Sequence, residues 1–409
     1  MQSLHHGVSR LRQLQERLVT AGVQVRTRHH VVTVRAVEGS WSLDCAAAAE
    51  PQLAERTREV RARRLVHATG AYDRQLPFPG WELPGVMSAG GVQALLKEHC
   101  VLAGRSIVVA GTGPFLLPVA TAVLAAGGRV PALVEANAPL ALARHPGALV
   151  GAAHKLLEAA GYIARLGRAR TPYLRRQIVC ALGDERVEAV KIARINGGGE
   201  TTTLPCDVLA VGWGFVPQLE LHLQLGCATS LATDGSLVVD VDTSQRTSVD
   251  GVWAAGEATG IGGSDLALAE GEIAGLGAAG RPARQQVIRK RAALRRFAAA
   301  LHAAFPVPPA VTSQVDDDVL LCRCEEVTVG AAREAVQLWG ATDARTVKML
   351  ARPGMGWCQG RICGYATACV TAQACGRPVE AADLRAFAER PLAAPVPLGL
   401  LAENGTLPE

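Results

Sequence analysis

Apolar residues recur at spacings of three and four near the start of the chain, at Leu4, Val8, Leu11, Leu14 and Leu18, which predicts an amphipathic helix over 2–20. The pattern then shortens to strand-like runs at 23–26, 31–36, 41–45, 57–61 and 64–68, with 46–56 as a hairpin loop. The last of these runs into Ala68-Thr69-Gly70, where the glycine lets the chain turn against a ligand, and Pro77, Pro79, Gly80, Pro84 and Gly85 follow as a stiff surface crossing. From 106 the pattern reads strand (106–110), Gly111-Thr112-Gly113, helix (115–126), strand (129–135). Residues 106–128 carry no charge, but Gly111, Gly113, Pro114 and Pro118 suit a strand–loop–helix and not a bilayer helix. A further buried strand within 247–257 runs into Gly256 and Glu257, and Gly262, Gly263 and a helix over 266–276 come next. A basic helix (284–304), a proline-rich linker (305–309) and a helix near 329–338 complete the pattern. The expected division is 1–103, 104–280, 281–313, 314–376 and a tail, 377–409.

Two of these turns carry candidate chemistry. The strand–Gly111-Thr112-Gly113–helix–strand segment is a βαβ unit, the arrangement that offers backbone N–H groups and a helix dipole to a pyrophosphate. Glu135 lies 22 residues past Gly113, where an acid can bind a ribose 2′-OH. Leu116 stands at the third glycine position, so the fingerprint is incomplete, and a structural βαβ turn is the competing reading. The lack of an arginine directly after Glu135 leans toward NAD over NADP. At the second turn, a carboxylate such as Glu257 can bond a flavin ribityl hydroxyl, while the following helix start at Gly263 favours negative charge on a reduced ring. A solvated strand-end acid is the competing reading there.

Near the C-terminus stand Cys322 and Cys324, then 33 intervening residues, then Cys358 and Cys363. Two tight thiol pairs across a domain-sized gap fit four thiolates round one metal centre, and the C-x-C start favours iron–sulfur over a single tetrahedral zinc. A structural zinc site and ordinary buried thiols are the alternatives. A [2Fe–2S] centre on four thiolates carries about two negative charges and needs N–H donors and cations nearby. The glycines of 354–360 allow close backbone approach, and Arg323, Lys348 and Arg361 are candidate cations. A module this small is expected to be marginal on its own core and stapled by its metal. Cys369 and Cys375 lack a partner spacing and read as buried small hydrophobes.

The composition narrows the partners. The 409 residues carry a net charge of +5, spread along the chain, which argues against a nucleic-acid footprint. Eleven cysteines in a chain of this length do not make a disulfide scaffold, and no signal peptide or membrane segment is read. No C-x2-C or C-x4-C pair falls in the flavin region, which speaks against thiol–disulfide reduction. No convincing nucleophile–base constellation is present.

Taken together, Ala68-Thr69-Gly70, the run 76–86 (LPFPGWELPGV), Gly111-Thr112-Gly113-Pro114, Ala255-Gly256-Glu257 and the four cysteines resemble the α-type subunits of flavin-dependent amino-acid and opine dehydrogenases. That family includes the α-type chain of octopine/nopaline dehydrogenase, D-hydroxyproline dehydrogenase α and the flavoprotein chain of hydrogen cyanide synthase, with sarcosine oxidase α more distant. The resemblance implies an α/β fold of two nested FAD/NAD(P)-binding dinucleotide folds plus a small, mainly helical [2Fe–2S] domain of the bacterioferritin-associated ferredoxin type. It implies that Thr69, Gly70, Gly256, Glu257 and Gly263 face FAD, that Gly111, Gly113 and Glu135 face NAD or another adenine nucleotide, and that the four cysteines hold the cluster. The family's first βαβ unit with its G-x-G-x-x-G turn has no counterpart before the helix at 2–20, so 1–103 is expected to be the remnant of an FAD-binding domain in a longer gene product. The implied role is that of a cytoplasmic electron-transferring subunit in a heteromer. Its β subunit would oxidise a C–N bond, and a quinone or other acceptor would take the electrons. The resemblance leaves room for peripheral membrane contact and for a small third subunit. A self-contained NAD(P)H-dependent ferredoxin-type reductase and a scaffold with a vacant flavin site are the alternatives.

Overall fold

The computed structural model describes residues 8–47, 56–138, 140–149, 153–195 and 200–397. The first residues of the expected N-terminal helix and most of the 46–56 loop lie outside the described residues.

A five-stranded parallel sheet holds the middle of the molecule, in the order Val86–Ser88, Val208–Gly212, Ile107–Gly111, Leu133–Glu135, Tyr173–Arg175. The strands Val208–Gly212 and Ile107–Gly111 are buried at every residue, which is why they read as unbroken apolar runs without alternation. Helices Ala89–His99, Leu116–Ala125 and Ala153–Arg168 cover one face through Val92, Leu116, Val119, Val123, Tyr162 and Leu166. The other face meets Leu76, Phe78 and Trp81 from the proline-rich crossing, and an antiparallel sheet of Gln177–Leu182, Ala189–Ala193 and Thr201–Pro205.

That second core does not stop at the sheet. It continues without a break into Val315, Val319, Leu321, Val329, Ala332, Val347, Ala366 and Val370 of the cysteine-bearing region. The Trp81 indole also donates to Leu320 O at 2.6 Å, and Arg323 stacks over the Trp81 ring at 4.6 Å. The module, expected to be marginal on its own core, thus gains a core shared with the sheet. Its helices Val329–Gln337, Ala344–Ala351, Gly364–Ala374 and Ala381–Ala388 share a core with the rest of the chain.

The remaining architecture surrounds one parallel pair, Leu65–His67 with Val252–Ala254. An antiparallel sheet of His29–Val37, Ser40–Ala47 and Arg56–Ala62 and the helix Ser264–Ala278 flank it. The predicted strand at 23–26 does not form. Val23 and Val25 are exposed, and no described strand pairs with them, so their β propensity finds no hydrogen-bonding partner. The helix Val8–Thr20 likewise turns Leu11 and Leu18 to solvent.

Candidate functional site

Parallel pairing sets Ala68-Thr69-Gly70 beside Ala255-Gly256-Glu257 at the carboxyl ends of adjacent strands, the place where α/β sheets take ligands. Ala255 N donates to His67 O at 2.9 Å. Thr69 Oγ1 donates to Gln218 O at 2.6 Å, and Gln218 N donates back to Gly70 O at 3.0 Å, which fixes that turn. Gly70 and Gly256 both sit at φ 77°, a region that strains any side chain. The Glu257 carboxylate accepts from Gly262 N at 2.8 Å and Gly263 N at 3.0 Å, at the start of helix Ser264–Ala278. Burial raises its pKa. Thus Thr69, Gly70, Gly256, Glu257 and Gly263 form one group around the paired strand ends.

Two residues that the motifs did not mark hold this group. Glu270 is fully buried and accepts from Gly256 N and Thr259 Oγ1, both at 3.0 Å. Arg295, from the basic helix Gln285–Ala304, donates to Glu270 Oε1 at 2.5 Å and to Gly260 O at 3.0 Å. The signal was an acid among the alanines and leucines of one helix, with arginines four apart, 291 and 295, on the next. Beneath the strand ends, His67 and His222 stack edge to face at 4.7 Å, buried, with no hydrogen-bond partner at either ring.

Gly111, Gly113 and Glu135 form a second group. Gly111 pairs with Glu135 across adjacent parallel strands. Gly111 also passes so close to the neighbouring strand that a Cβ there would lie 1.9 Å from Gly212 O, so its glycine is needed for packing whatever the turn binds. Glu135 is fully buried; its carboxylate accepts from Gly113 N and Asn137 N, each at 2.9 Å, and desolvation pushes it up to about 7. Asn137 Nδ2 donates to Thr112 Oγ1 at 2.5 Å and to Pro306 O at 2.9 Å, and Thr112 Oγ1 donates to Phe305 O at 3.3 Å. The proline-rich linker therefore lies over this turn.

The four cysteines converge into a third group. Cys363, buried at the head of helix Gly364–Ala374, lies beside Cys322 and Cys358, and their sulfurs raise its pKa. Cys324 and Cys358 stand 4.0 Å apart, sulfur to sulfur. Backbone N–H groups aim at these sulfurs: Gly354 (3.4 Å), Cys324 and Glu325 at Cys322; Gly360 and Ile362 at Cys358. With the Cys363 contact leading, Cys322 falls to about 6 and Cys358 to about 5. A Cβ on Gly356 would meet Cys324 Cβ at 2.3 Å, and one on Gly354 or Gly360 would strike Phe387. Among the described residues, no three or more His, Cys, Asp or Glu side chains close round a single metal ion. The sulfurs run as pairwise approaches inside a loop whose backbone N–H groups face them. Cys375 points at Ala341 O and Thr342 O and stays outside the group, and Cys369 contacts Tyr365. Of the expected cations, Arg361 is buried beside the loop, Lys348 lies over Phe387 within reach of Cys363, and Arg323 is exposed on Trp81.

Known proteins share the fold. The family model "Pyridine nucleotide-disulphide oxidoreductase" matches residues 3–274. The larger-scale relatives are enzyme components. The A chain of opine oxidase from Rhizobium meliloti is 34% identical over 365 residues, 85% of this chain and 77% of that protein. Hydrogen cyanide synthase subunit HcnB of Pseudomonas aeruginosa is 34% identical over 329 residues, 76% of this chain and 71% of that one. The crystal structure of L-proline dehydrogenase from P. horikoshii superposes with a TM-score of 0.67 at 21% identity, over 95% of this chain and 68% of that chain. This chain belongs to the pyridine nucleotide-disulphide oxidoreductases and is kin to the corresponding chains of opine oxidases: an oxidoreductase of mixed α/β, FAD/NAD-binding fold. No helix among the described residues is long and apolar enough to cross a membrane.

Proposed function

We propose that this chain is the electron-transferring flavoprotein and iron–sulfur component of a heteromeric FAD-dependent dehydrogenase. A partner β subunit would oxidise the C–N bond of an amino acid, imino acid or opine. The observation that carries the reading is the convergence of Cys322, Cys324, Cys358 and Cys363 in a loop whose backbone N–H groups face the sulfurs, in a chain whose relatives are named as subunits of opine oxidase and hydrogen cyanide synthase. When bound, FAD would supply a two-electron carrier and the [2Fe–2S] centre a one-electron carrier.

In this reading Thr69, Gly70, Gly256, Glu257 and Gly263 face FAD. Gly70 and Gly256 give the backbone the left-handed turns that close approach needs, and Glu257 offers acceptor oxygens at the rim of a helix start. The cysteine module spans about 314–376, and the segment after it, with Phe387 against the loop glycines, closes one side. Gly111, Gly113 and Glu135 would face NAD or another adenine nucleotide only with residues 305–306 of the linker moved off the turn. The linker laid over that turn and the commitment of both Glu135 oxygens to backbone N–H groups weigh against a self-contained NAD(P)H reductase.

The test is anaerobic reconstitution of the full chain with iron and sulfide, followed by visible and electron paramagnetic resonance spectra. Wild type and Cys375→Ser should show a [2Fe–2S] spectrum, and Cys358→Ser should lose it. Equal spectra from both variants, or none from wild type, would sink the assignment.

A further inference from the structure

Beside the cysteine loop lies a buried charge group that no motif marks. Glu220 opens the short helix Glu220–Gln224, Arg361 sits between Cys358 and Cys363, and Arg390 follows helix Ala381–Ala388. Arg390 Nη1 is 2.6 Å from Glu220 Oε1 and Arg361 Nε is 3.1 Å from the same oxygen. Tyr72 OH donates to that oxygen at 3.1 Å and accepts from Arg361 Nε at 2.9 Å. The same guanidiniums grip the loop itself: Arg361 donates to Cys358 O at 3.2 Å, and Arg390 donates to Gln359 O at 2.8 Å. Arg361 also donates to Ala393 O at 2.6 Å. The side chains of Arg361, Arg390 and Glu220 are only 8%, 9% and 5% exposed.

Two cations thus share one anion. A buried charge without an opposite charge costs several kcal/mol, on the order found for unpaired buried ions, so the surplus positive charge needs a further anion close by. The loop that carries the cysteine sulfurs is what the two guanidiniums hold, Arg361 at Cys358 O and Arg390 at Gln359 O. We propose that Arg361 and Arg390, only half neutralised by Glu220, are the built-in countercharge of the metal centre and set its reduction potential. This rests on the [2Fe–2S] reading above. A bound [2Fe–2S] centre would take one electron at iron, making the cluster as a whole more negative by one, and a fixed positive charge in a poorly hydrated site would stabilise that charge more than it would in water. The group also ties the cysteine loop to the strand Ala71–Asp73, through Tyr72, directly after the flavin-type turn at Thr69 and Gly70.

The experiment is a dithionite titration of the reconstituted full chain, followed by electron paramagnetic resonance, on wild type and four variants. Arg390→Gln and Arg361→Gln should move the midpoint potential to more negative values. Arg390→Lys, which keeps the charge, should stay near wild type. Glu220→Gln, which changes shape least and frees a second positive charge, should move the potential the opposite way, so the test survives even if an arginine variant fails to fold. Potentials that do not move, or that move in one direction in both Glu220→Gln and Arg390→Gln, would overturn the countercharge role. A wild-type chain that assembles no [2Fe–2S] centre would instead bring down the underlying reading and this one with it.

Discussion

His67 and His222 are the residues whose ionisation the fold constrains most plainly. Each is buried, each lacks a hydrogen-bond partner at its ring nitrogens, and burial holds them down to about 4 and about 3, from an ordinary 6.5. The folded chain keeps both neutral while the unfolded chain takes up protons below about pH 6.5. Their stabilisation is complete above that pH and is lost as pH falls through the folded values, by roughly 1.4 kcal/mol per pH unit for each histidine. Glu135 works the other way. Its raised value, about 7, means stability that is present below its unfolded value near 4.5 and lost as pH rises through 7. Burial raises the Glu257 and Asp73 carboxyls as well, so the histidines' upward push on the urea midpoint between pH 4.5 and 6.5 is read by difference from a variant that lacks one of them. His222→Leu should remove about half of the histidine contribution and lower the slope across that window, with little change in the slope above pH 7. An unchanged slope would show that the buried pair is not its source.

At the scale of elements, the flavin-type turn depends on a helix far from it in sequence. Arg295 of Gln285–Ala304 and Glu270 of Ser264–Ala278 clamp residues 256–260. Arg295→Ala leaves Glu270 with only Arg291, at 3.8 Å, and should cost about 2 kcal/mol, the scale of a lost charge-assisted hydrogen bond at a buried acid. The checks are thermal unfolding and the fraction of FAD retained on gel filtration; a variant equal to wild type in both would refute the clamp. This contact also marks the limit of what the chain's pattern reveals. The strand–turn–helix units at Gly111 and Gly256 were legible because a local period and a glycine suffice to specify them. The grouping of the cysteines was legible because two tight pairs stand out by spacing alone. The inward turn of Arg295 was not legible, since nothing local tells which arginine of a basic helix faces a buried acid. Glu220 and Arg390 were silent for the same reason: the two partners lie 170 residues apart. At 23–26 the local pattern misled, because a strand needs a neighbour that propensity does not supply.

The whole molecule binds its cysteine module into the same core as its parallel sheet and leaves its buried arginines already engaged. Arg74, 3% exposed, is bonded to Asp234 at 2.9 Å and stacked on Tyr365. Arg361 and Arg390 share Glu220, and Arg295 serves Glu270. Oxidation of an amino acid or opine at a flavin needs the substrate carboxylate clamped and its C–H aimed at the ring, a task usually given to an arginine in a closed pocket. Arg74 and Arg295 are each bonded to a carboxylate of this chain, so taking a substrate carboxylate there would weaken the pairing of the buried Asp234 or Glu270, while Arg361 and Arg390 are held on Glu220 and on carbonyls of the cysteine loop. No sequence motif pairs an acid and a base for amine deprotonation either. The isolated chain, loaded with FAD and iron, is therefore expected to show no dye reduction with proline, hydroxyproline, glycine or opines, while the same assay with the β subunit present should turn over at least one of them. Purifying the two chains separately and then combining them decides the matter: robust turnover by this chain by itself would end the division of labour proposed here and would require one of these arginines to exchange its internal carboxylate for the substrate's.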